Sequence, residues 1–485
     1  MPQWCLLCVV KINVNEAERN LLAQIGHQAN LMGYEAYLIG GFVRDKLLGR
    51  ATKDADMVCI GDGIALAHAV AATFTPAPPV SFFKTFGTAQ VKLPWIELEF
   101  VGARKESYQP ESRKPDVLPG TLQDDQNRRD FTINALAISL NEYDYGTLID
   151  PFDGVLHLTE KRLKTPLEPA ITFNDDPLRM MRGIRFASQL GFEIDFQAFQ
   201  AIKAERQRIG IVSQERITDE LNKIVLSPKP SVGFDLLYRS GLLHIIFPEM
   251  VALAGAEYID GKGHKDNFYH TLQVLDNISA HTNDLWLRWA AILHDIAKPV
   301  TKRFEPDIGW TFHGHEAVGG KMVPKIFNKL KLPLHEPMRY VRKLVEMHLR
   351  PIGLNKENIT DSAIRRLLFD AGEQFDDLMT LCNADITSKN EKKVKRYLAN
   401  FELVKQRCQL VEEKDRVRIW QPPIDGEQIM ALFGLAPGRA VGVIKSALKE
   451  AMLDGDVENN YASALAFVVQ KAETMGLKPK QPLNV

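Results

Sequence analysis

The stretch from Tyr37 to Ile60 limits what this chain can fold into more than any other. Tyr37-Leu38-Ile39 is an apolar run of strand length, Gly40-Gly41 follows, and Val43, Leu47 and Leu48 take up helical spacing before a stop at Gly49. The pattern predicts strand, glycine turn, helix. A second strand follows over Ala55 to Ile60, and the two-residue period of a strand puts Asp54 and Asp56 on one face. Side-by-side carboxylates repel unless a cation lies between them, and divalent magnesium, bound by one or two carboxylates plus substrate phosphate oxygens, is the usual answer. Gly40 and Gly41 remove side chains, so backbone N–H groups and the start of the helix can approach a triphosphate, with Arg44 adding a charge-assisted contact. The plain alternative is a glycine turn followed by solvated acids; both signals together, in this order, argue against it.

Composition bounds the rest. A chain of 485 residues holds two to four domains, and 45% hydrophobic with 25% charged residues is ordinary for a soluble protein. With 60 Lys and Arg against 61 Asp and Glu there is no global basic field, so any nucleic-acid surface must come from local segregation of charge. The five cysteines are too few and too scattered for a disulfide framework, and the Cys5-x-x-Cys8 pair has no second pair or nearby histidine to complete a zinc site. The first residues lack a basic region and a cleavage site, and no later segment approaches a membrane span, so a cytoplasmic protein with no membrane partner is expected.

Asn15 to Met32 reads as an amphipathic helix and Ile64 to Phe74 as a second helical stretch. Gly87 to Leu93 and Trp95 to Val101 alternate as strands of a small sheet, with Glu97 and Glu99 on one face. Ala103 to Pro119 is charged, proline-broken and aperiodic, so a mobile loop is expected there. In Asp124-Asp125-Gln126-Asn127-Arg128-Arg129-Asp130-Phe-Thr-Ile-Asn134 the arginines suit phosphate bidentately, while Asp130 and Asn134 can bond ribose hydroxyls.

Together these residues resemble the nucleotidyltransferase superfamily that shares its fold with DNA polymerase beta. The fuller Gly40-Gly41-Phe-Val-Arg44-Asp-Lys-Leu-Leu-Gly49 and Lys53-Asp54-Ala55-Asp56 are similar to the tRNA nucleotidyltransferases, the CCA-adding enzymes of the bacterial and eukaryotic class. The resemblance implies that Asp54, Asp56 and a further strand carboxylate are catalytic and hold magnesium; placing Arg104 on the arginine that follows this strand in the family favours Glu99. It also implies that Gly40, Gly41, Arg44, Arg128, Arg129, Asp130 and Asn134 bind the nucleotide, and that the segment before Pro119 takes part in the switch to adenosine addition. Asp150 to Gly154 looks like the next family motif, but His157 stands where an aspartate is usual, so only a structural turn is expected there.

Asn174-Asp175-Asp176-Pro-Leu-Arg179-Met-Met-Arg182-Gly-Ile-Arg185 is read as a helix with acids at its start, and Asp176 and Arg179, three apart, as sharing a face. Cytosine and adenine both present an amine donor beside a ring-nitrogen acceptor, which an aspartate and an arginine complement; uracil and guanine reverse that order. The segment is similar to the family's base-recognition motif, with Asp175 in place of its glutamate, and Arg182 and Arg185 join the nucleotide set. Glu215-Arg216 and Glu220 resemble a supporting helix.

His270, His294-Asp295 and Asp385, with His264, His313, His315, His335 and His348 in the same region, resemble HD-type metal phosphohydrolases, and imidazole with carboxylate suits a transition metal such as nickel or manganese. Adjacent His294-Asp295 is read as lying on a helix. Lys389 to Arg418 is helical and basic, and Pro437-Gly438 marks the turn before the last long helix.

The expected fold is therefore α+β, a polymerase-beta-like head with a small mixed sheet followed by an all-α neck, HD-like body and tail. The expected divisions are an N-terminal segment at 1–34, the head at 35–160, the neck at 161–250, the body at 251–390 and the tail at 391–485. Expected partners are the tRNA 3′ end, CTP and ATP; nothing in the pattern fixes an oligomeric state. The expected activity is template-independent CCA addition by two-metal in-line transfer. Rival readings are a bacterial poly(A) polymerase, against which Phe86-Gly-Thr-Ala-Gln stands in place of the expected basic stretch, an HD phosphohydrolase, and a non-catalytic RNA binder on an inherited fold.

Overall fold

The computed structural model describes residues 13–84, 87–109, 112–259, 262–354, 360–387, 391–415 and 421–480. The Cys5-x-x-Cys8 pair, Phe86, Lys389 and residues 416–418 of the basic stretch lie outside these. The chain divides into two compact units, Met1–Val251 and Ala252–Val485. No helix among the described residues is long and apolar enough to cross a membrane.

The first unit opens with α1 (Glu16–Leu31), whose start is fixed by a capping box: Asn15 accepts from the Glu18 N–H and Glu18 accepts from the Asn15 N–H, both at 2.9 Å. Then come β1 (Ala36–Ile39), α2 (Gly41–Leu47), β2 (Asp54–Cys59), α3 (Gly63–Ala71), β3 (Val80–Phe83), β4 (Thr88–Lys92) and β5 (Glu97–Gly102). They are followed by β6 (Arg104–Gln109), β7 (Ser112–Pro119), α4 (Leu122–Asn127), β8 (Ala137–Ser139), β9 (Leu148–Ile149) and α5 (Gly154–Thr159). The main sheet runs β3-β4-β5-β2-β1-β8-β9, antiparallel except for β2 beside β5, which makes it mixed as expected. β1 is buried at every position, as a strand covered on both faces must be.

Two expectations fail in this unit. Ala103 to Pro119 is no loop: β6 and β7 pair antiparallel, with Arg104 opposite Pro119 and Gln109 opposite Ser112. A two-stranded ribbon satisfies its own backbone groups and needs no apolar alternation, which is why its periodicity was silent. The acids before Arg179 do not start a helix either. β10 (Arg162–Leu163) leads to α6 (Pro169–Asp175), which ends at Asp175; Asp176 is extended (φ −133°, ψ 100°) and α7 (Leu178–Leu190) begins after it. Pro177 excludes the residue before it from helical conformation and so splits the helix there. The unit closes with β11 (Glu193–Ile194), α8 (Phe196–Glu205), α9 (Gln214–Val225), α10 (Pro230–Ser240), α11 (Leu242–Ile246) and α12 (Pro248–Val251).

Among its described residues the second unit is helical apart from two short hairpins, β12 (Tyr258–Ile259) with β13 (Lys262–Gly263) and β14 (Arg303–Glu305) with β15 (Gly309–Thr311). Its helices are α13 (Asn267–Ser279), α14 (Leu285–Leu293), α15 (Lys298–Thr301), α16 (His315–Lys329), α17 (Glu336–Met347), α18 (Arg350–Gly353), α19 (Asp361–Ala371), α20 (Phe375–Ala384) and α21 (Glu391–Asp415), then α22 (Gly426–Phe433), α23 (Arg439–Asp454) and α24 (Tyr461–Thr474). The helix after Pro437-Gly438 is thus not the last, because α24 packs on the same apolar cluster through Ala464, Val468 and Ala472. His294-Asp295 falls in the turn beyond α14 rather than on it. Pro299 would clash with the Asp295 carbonyl if α14 continued, and it sits in the first turn of α15 instead.

Candidate active site and metal centre

In the first unit the sheet register builds the carboxylate group. β2 and β5 run parallel with Asp54 opposite Glu97 and Asp56 opposite Glu99, so the acids of both strands face one cleft of about 740 Å³. Asp54 is exposed at the strand end while Asp56 and Glu99 are half-buried. Burial pushes the Asp56 carboxyl up, Arg129 opposes this and Asp54 adds to it. Glu99 is likewise raised, by burial first and then by Asp56. These are negative charges held together at a cost, with oxygen donors only, which is the donor set magnesium takes. Glu97 also pairs with Lys92 at 3.9 Å.

Gly40 caps α2 with φ +81°, and a Cβ there would meet Arg129 Nη1 at 2.9 Å and Asp56 Oδ2 at 3.0 Å. Only glycine lets the turn carry both the arginine and the carboxylate so close to its backbone. Gly41 opens α2 and lines the cleft. Arg44, buried on α2, donates to Asn134 Oδ1 at 2.7 Å and to Asp45 at 2.9 Å. Asn134 in turn donates to Asp130 Oδ1 at 2.9 Å, and Arg182 donates to Asp130 Oδ2 at 2.7 Å. Burial would raise the Asp130 carboxyl, but Arg182 and Asn134 outweigh it and hold it well below the usual carboxylate range. Arg44, Asn134, Asp130 and Arg182 therefore form one ordered polar chain.

Asp125 is the residue that sequence reasoning passed over. Its side chain is fully buried and clasps both arginines of the motif: Oδ1 accepts from Arg128 through Nε (2.9 Å) and Nη2, and Oδ2 accepts from Arg129 Nε at 3.1 Å. The i,i+3 and i,i+4 spacing to the two arginines was the available signal. Phe186 was also missed, and nothing in the pattern marks it: its ring is faced by Arg185 at 4.2 Å, Arg44 at 5.0 Å and Arg182 at 5.5 Å. Arg185 also pairs with Glu220 of α9 at 2.7 Å, and Arg216 of α9 lies 3.7 Å from Asp176, so both expected buttress residues touch the recognition segment. Asp176 accepts from the Leu178 N–H at 3.1 Å, and Asp176 and Arg179 both line the same cleft. Arg179 is held by the Thr172 carbonyl at 3.2 Å. Asp150 ends the turn by accepting from the Gly154 and Val155 N–H groups that open α5, and His157, on that helix, is buried against Thr132.

In the second unit His270, His294, Asp295 and Asp385 converge from α13, the turn after α14 and the end of α20. His270 Nε2 lies 2.9 Å from Asp385 Oδ1 and 3.4 Å from Asp295 Oδ2, and His294 Nε2 lies 3.2 Å from Asp295 Oδ2. Burial would lower the His294 imidazole, yet Asp295 and Asp385 raise it to about 10, so the carboxylate pair demands positive charge. Lys298 Nζ supplies some at 2.5 Å from Asp295 Oδ2. His315 and His348 also face Asp295, whereas His264, His313 and His335 stand outside the group.

A polymerase-like head with an acidic and arginine-lined cleft, joined to a helical unit with a histidine–aspartate centre, is the plan of a nucleotidyltransferase with an HD body. Models of three families match in that order: a poly A polymerase head domain over residues 36–164, a probable RNA and SrmB-binding site of polymerase A over 191–253, and an HD domain over 267–387. An A-adding tRNA nucleotidyltransferase of Deinococcus radiodurans is 32% identical over 453 residues, 90% of this chain and 96% of its own. A CC-adding tRNA nucleotidyltransferase of Thermus thermophilus is 30% identical over 442 residues, 87% of this chain and 91% of its own. Among solved structures, the Bacillus stearothermophilus CCA-adding enzyme in complex with CTP superposes with a TM-score of 0.65 at 23% identity, over 96% of this chain and 99% of that one. The chain belongs to the tRNA nucleotidyltransferase family, in the CCA-adding class that carries an HD domain.

Proposed function

We propose that this chain adds the complete CCA triplet to tRNA 3′ ends in the cytoplasm, using CTP and ATP without a nucleic-acid template. The observation that carries the reading is the single cleft in which the β2 and β5 carboxylates, the Arg128 and Arg129 pair and the Asp176 and Arg179 pair meet. Asp54, Asp56 and Glu99 would hold magnesium, which when bound lowers the pKa of the attacking 3′ hydroxyl and neutralises the departing pyrophosphate. Arg128 and Arg129, fixed by Asp125, grip the triphosphate. Asp130 and Asn134, fixed by Arg182 and Arg44, take the ribose hydroxyls.

Asp176 accepts from the exocyclic amine of cytosine or adenine while Arg179 donates to the adjacent ring nitrogen. Uracil and guanine leave both charged groups facing like partners, and sites built this way discriminate by about ten-thousand-fold. Phosphate contacts carry no base information, so triphosphate grip and base choice are separable.

Incubation with a tRNA ending at the discriminator base and all four nucleotides tests the reading. Three additions in the order C, C, A are expected. An open-ended A tail would make the chain a poly(A) polymerase, and an unchanged Asp54→Ala variant would make it a binder. The Deinococcus radiodurans relative gives a second reading, A addition alone; it predicts extension of a tRNA ending in CC and none of the shorter one. For the second unit we propose a transition metal at His270, His294, Asp295 and Asp385 and hydrolysis of phosphate esters, tested with 2′,3′-cyclic nucleotides plus nickel or manganese against Asp295→Ala.

A further inference from the structure

Around β3, β4 and β5 the sheet of the first unit has one covered face and one face left open beside the carboxylates. Residues opposite one another in register point the same way, so Asp56, Glu99, Gln90 and Ser81 form one row across β2, β5, β4 and β3. The next row, toward the end of β5, finishes in Thr88 and Phe83. On the reverse face Ala89, Val91, Leu98 and Phe100 are buried, and Phe82 meets His68 of α3 edge-on at 5.9 Å. On the carboxylate face Thr88 and Gln90 are half-exposed, Ser81 is exposed and Phe83 keeps 58% of its surface in solvent.

A single exposed phenylalanine needs no explanation by itself. The direction of the reaction is what gives this one a role. In-line displacement puts the attacking oxygen opposite the departing pyrophosphate. The triphosphate side is marked by Arg129, which lies against Gly40 at the end of β1, and β1 borders β2 on the side away from β5. The attacking 3′ end therefore comes over β5, β4 and β3, and Gln90 lines the cleft on that side. Strands lie about 4.8 Å apart and alternate residues about 6.8 Å apart along a strand, so Phe83 stands roughly 12–16 Å from Glu99 and Asp56. At about 3.4 Å per stacked nucleotide, and about twice that when the strand is extended, this is about two to four nucleotides behind the reacting end.

We propose that Phe83 is a stacking platform for an unpaired base of the tRNA 3′ strand and so holds the primer end at the carboxylates. The inference rests on the transferase reading and deepens it by naming a contact for the primer instead of the incoming nucleotide. When A is added, the bases at this depth are the first C and the discriminator base, both unpaired and free to stack. Every base has a π-face, so an aromatic platform accepts a discriminator of any identity, which a hydrogen-bonding seat would not. Lys84, the next residue, is exposed and supplies a cation for the phosphates of the same strand where the carboxylates would repel them.

A addition to a tRNA ending in CC tests the platform in the full-length chain, by single-turnover kinetics over a tRNA concentration series. Phe83→Ala should weaken the apparent tRNA affinity about tenfold while the dependence on ATP is kept. Phe83→Tyr should restore it and Phe83→Leu, apolar but without a π-face, should not; circular dichroism reports the fold of all three. A tRNA with abasic nucleotides at the first C and the discriminator should cost the wild type a similar factor and Phe83→Ala little more, because one contact is lost only once. Unchanged A addition by Phe83→Ala, rescue by leucine, or losses that simply multiply would overturn the platform and leave the transferase intact. A wild type that extends no tRNA overturns both.

Discussion

Asp125→Asn separates arginine positioning from every other element of the head cleft. Asparagine keeps the volume and one acceptor but turns the other oxygen into an amide that faces an arginine N–H, donor against donor. It also removes the negative charge between two cations. Asp125 is fully buried, and although burial alone would raise its carboxyl, Arg129 and Arg128 hold it below its ordinary value. Breaking a buried pair costs about 3–5 kcal/mol. Arg128 and Arg129 keep 20% and 17% of their side-chain exposure, so water recovers part of this and roughly 2 kcal/mol remains.

If the arginines act on the triphosphate, that loss reaches the transition state: about 2 kcal/mol is roughly a thirtyfold fall in kcat/KM. Because the triphosphate is common to both nucleotides, the fall should be the same for CTP on a tRNA lacking CCA and for ATP on a tRNA ending in CC. Base choice should not change. Single-turnover primer extension over a nucleotide series measures both constants. Unchanged kcat/KM, or a loss confined to one nucleotide, would refute the argument that Asp125 acts through the phosphate grip.

Alanine at Asp176 or Arg179 should do the reverse, cutting the preference for CTP over UTP by about ten- to a hundredfold for each charge-assisted contact removed while total incorporation falls less; competition between the two nucleotides reads it directly. Gly40→Ala forces φ +81° on a residue with a Cβ that would strike Arg129 and Asp56, so a loss of about 1–3 kcal/mol in a denaturant melt and of nearly all transferase activity is expected. Asp56→Asn should abolish transfer yet stabilise the metal-free protein at neutral pH. The sign follows from its raised carboxyl: the folded state favours the protonated form, so wild-type stability is intact below the ordinary value of 3.8 and is lost as pH rises through the folded value. The difference in melting temperature between variant and wild type should therefore be nil near pH 3 and widen as pH rises above 3.8, and magnesium should close it by stabilising only the wild type.

The order of strands, glycines and carboxylates was legible because each rests on short-range physics. A two-residue period places Asp54 with Asp56 and Glu97 with Glu99 whatever surrounds them, and the parallel register of β2 and β5 then makes them one group. What the pattern hid depends on contacts between distant segments or on a local exception to periodicity. Pro177 cuts a helix that the spacing of Asp176 and Arg179 seemed to require, and the two residues face one cleft because Asp176 sits extended at the joint, not because they lie on one helical face. The β6–β7 ribbon is charged and proline-broken in sequence, so no period-two alternation announces its backbone pairing. His315 and His348 come to Asp295 from separate helix ends, 20 and 53 positions along the chain from it and with no shared periodicity. The pairing of Asp125 with two arginines is local enough to have been read, and it was hidden because a buried acid between two cations looks in sequence like any solvated charge run. Such a run becomes a positioning device only when burial removes the water that would otherwise screen it, and burial is the one quantity that spacing does not carry.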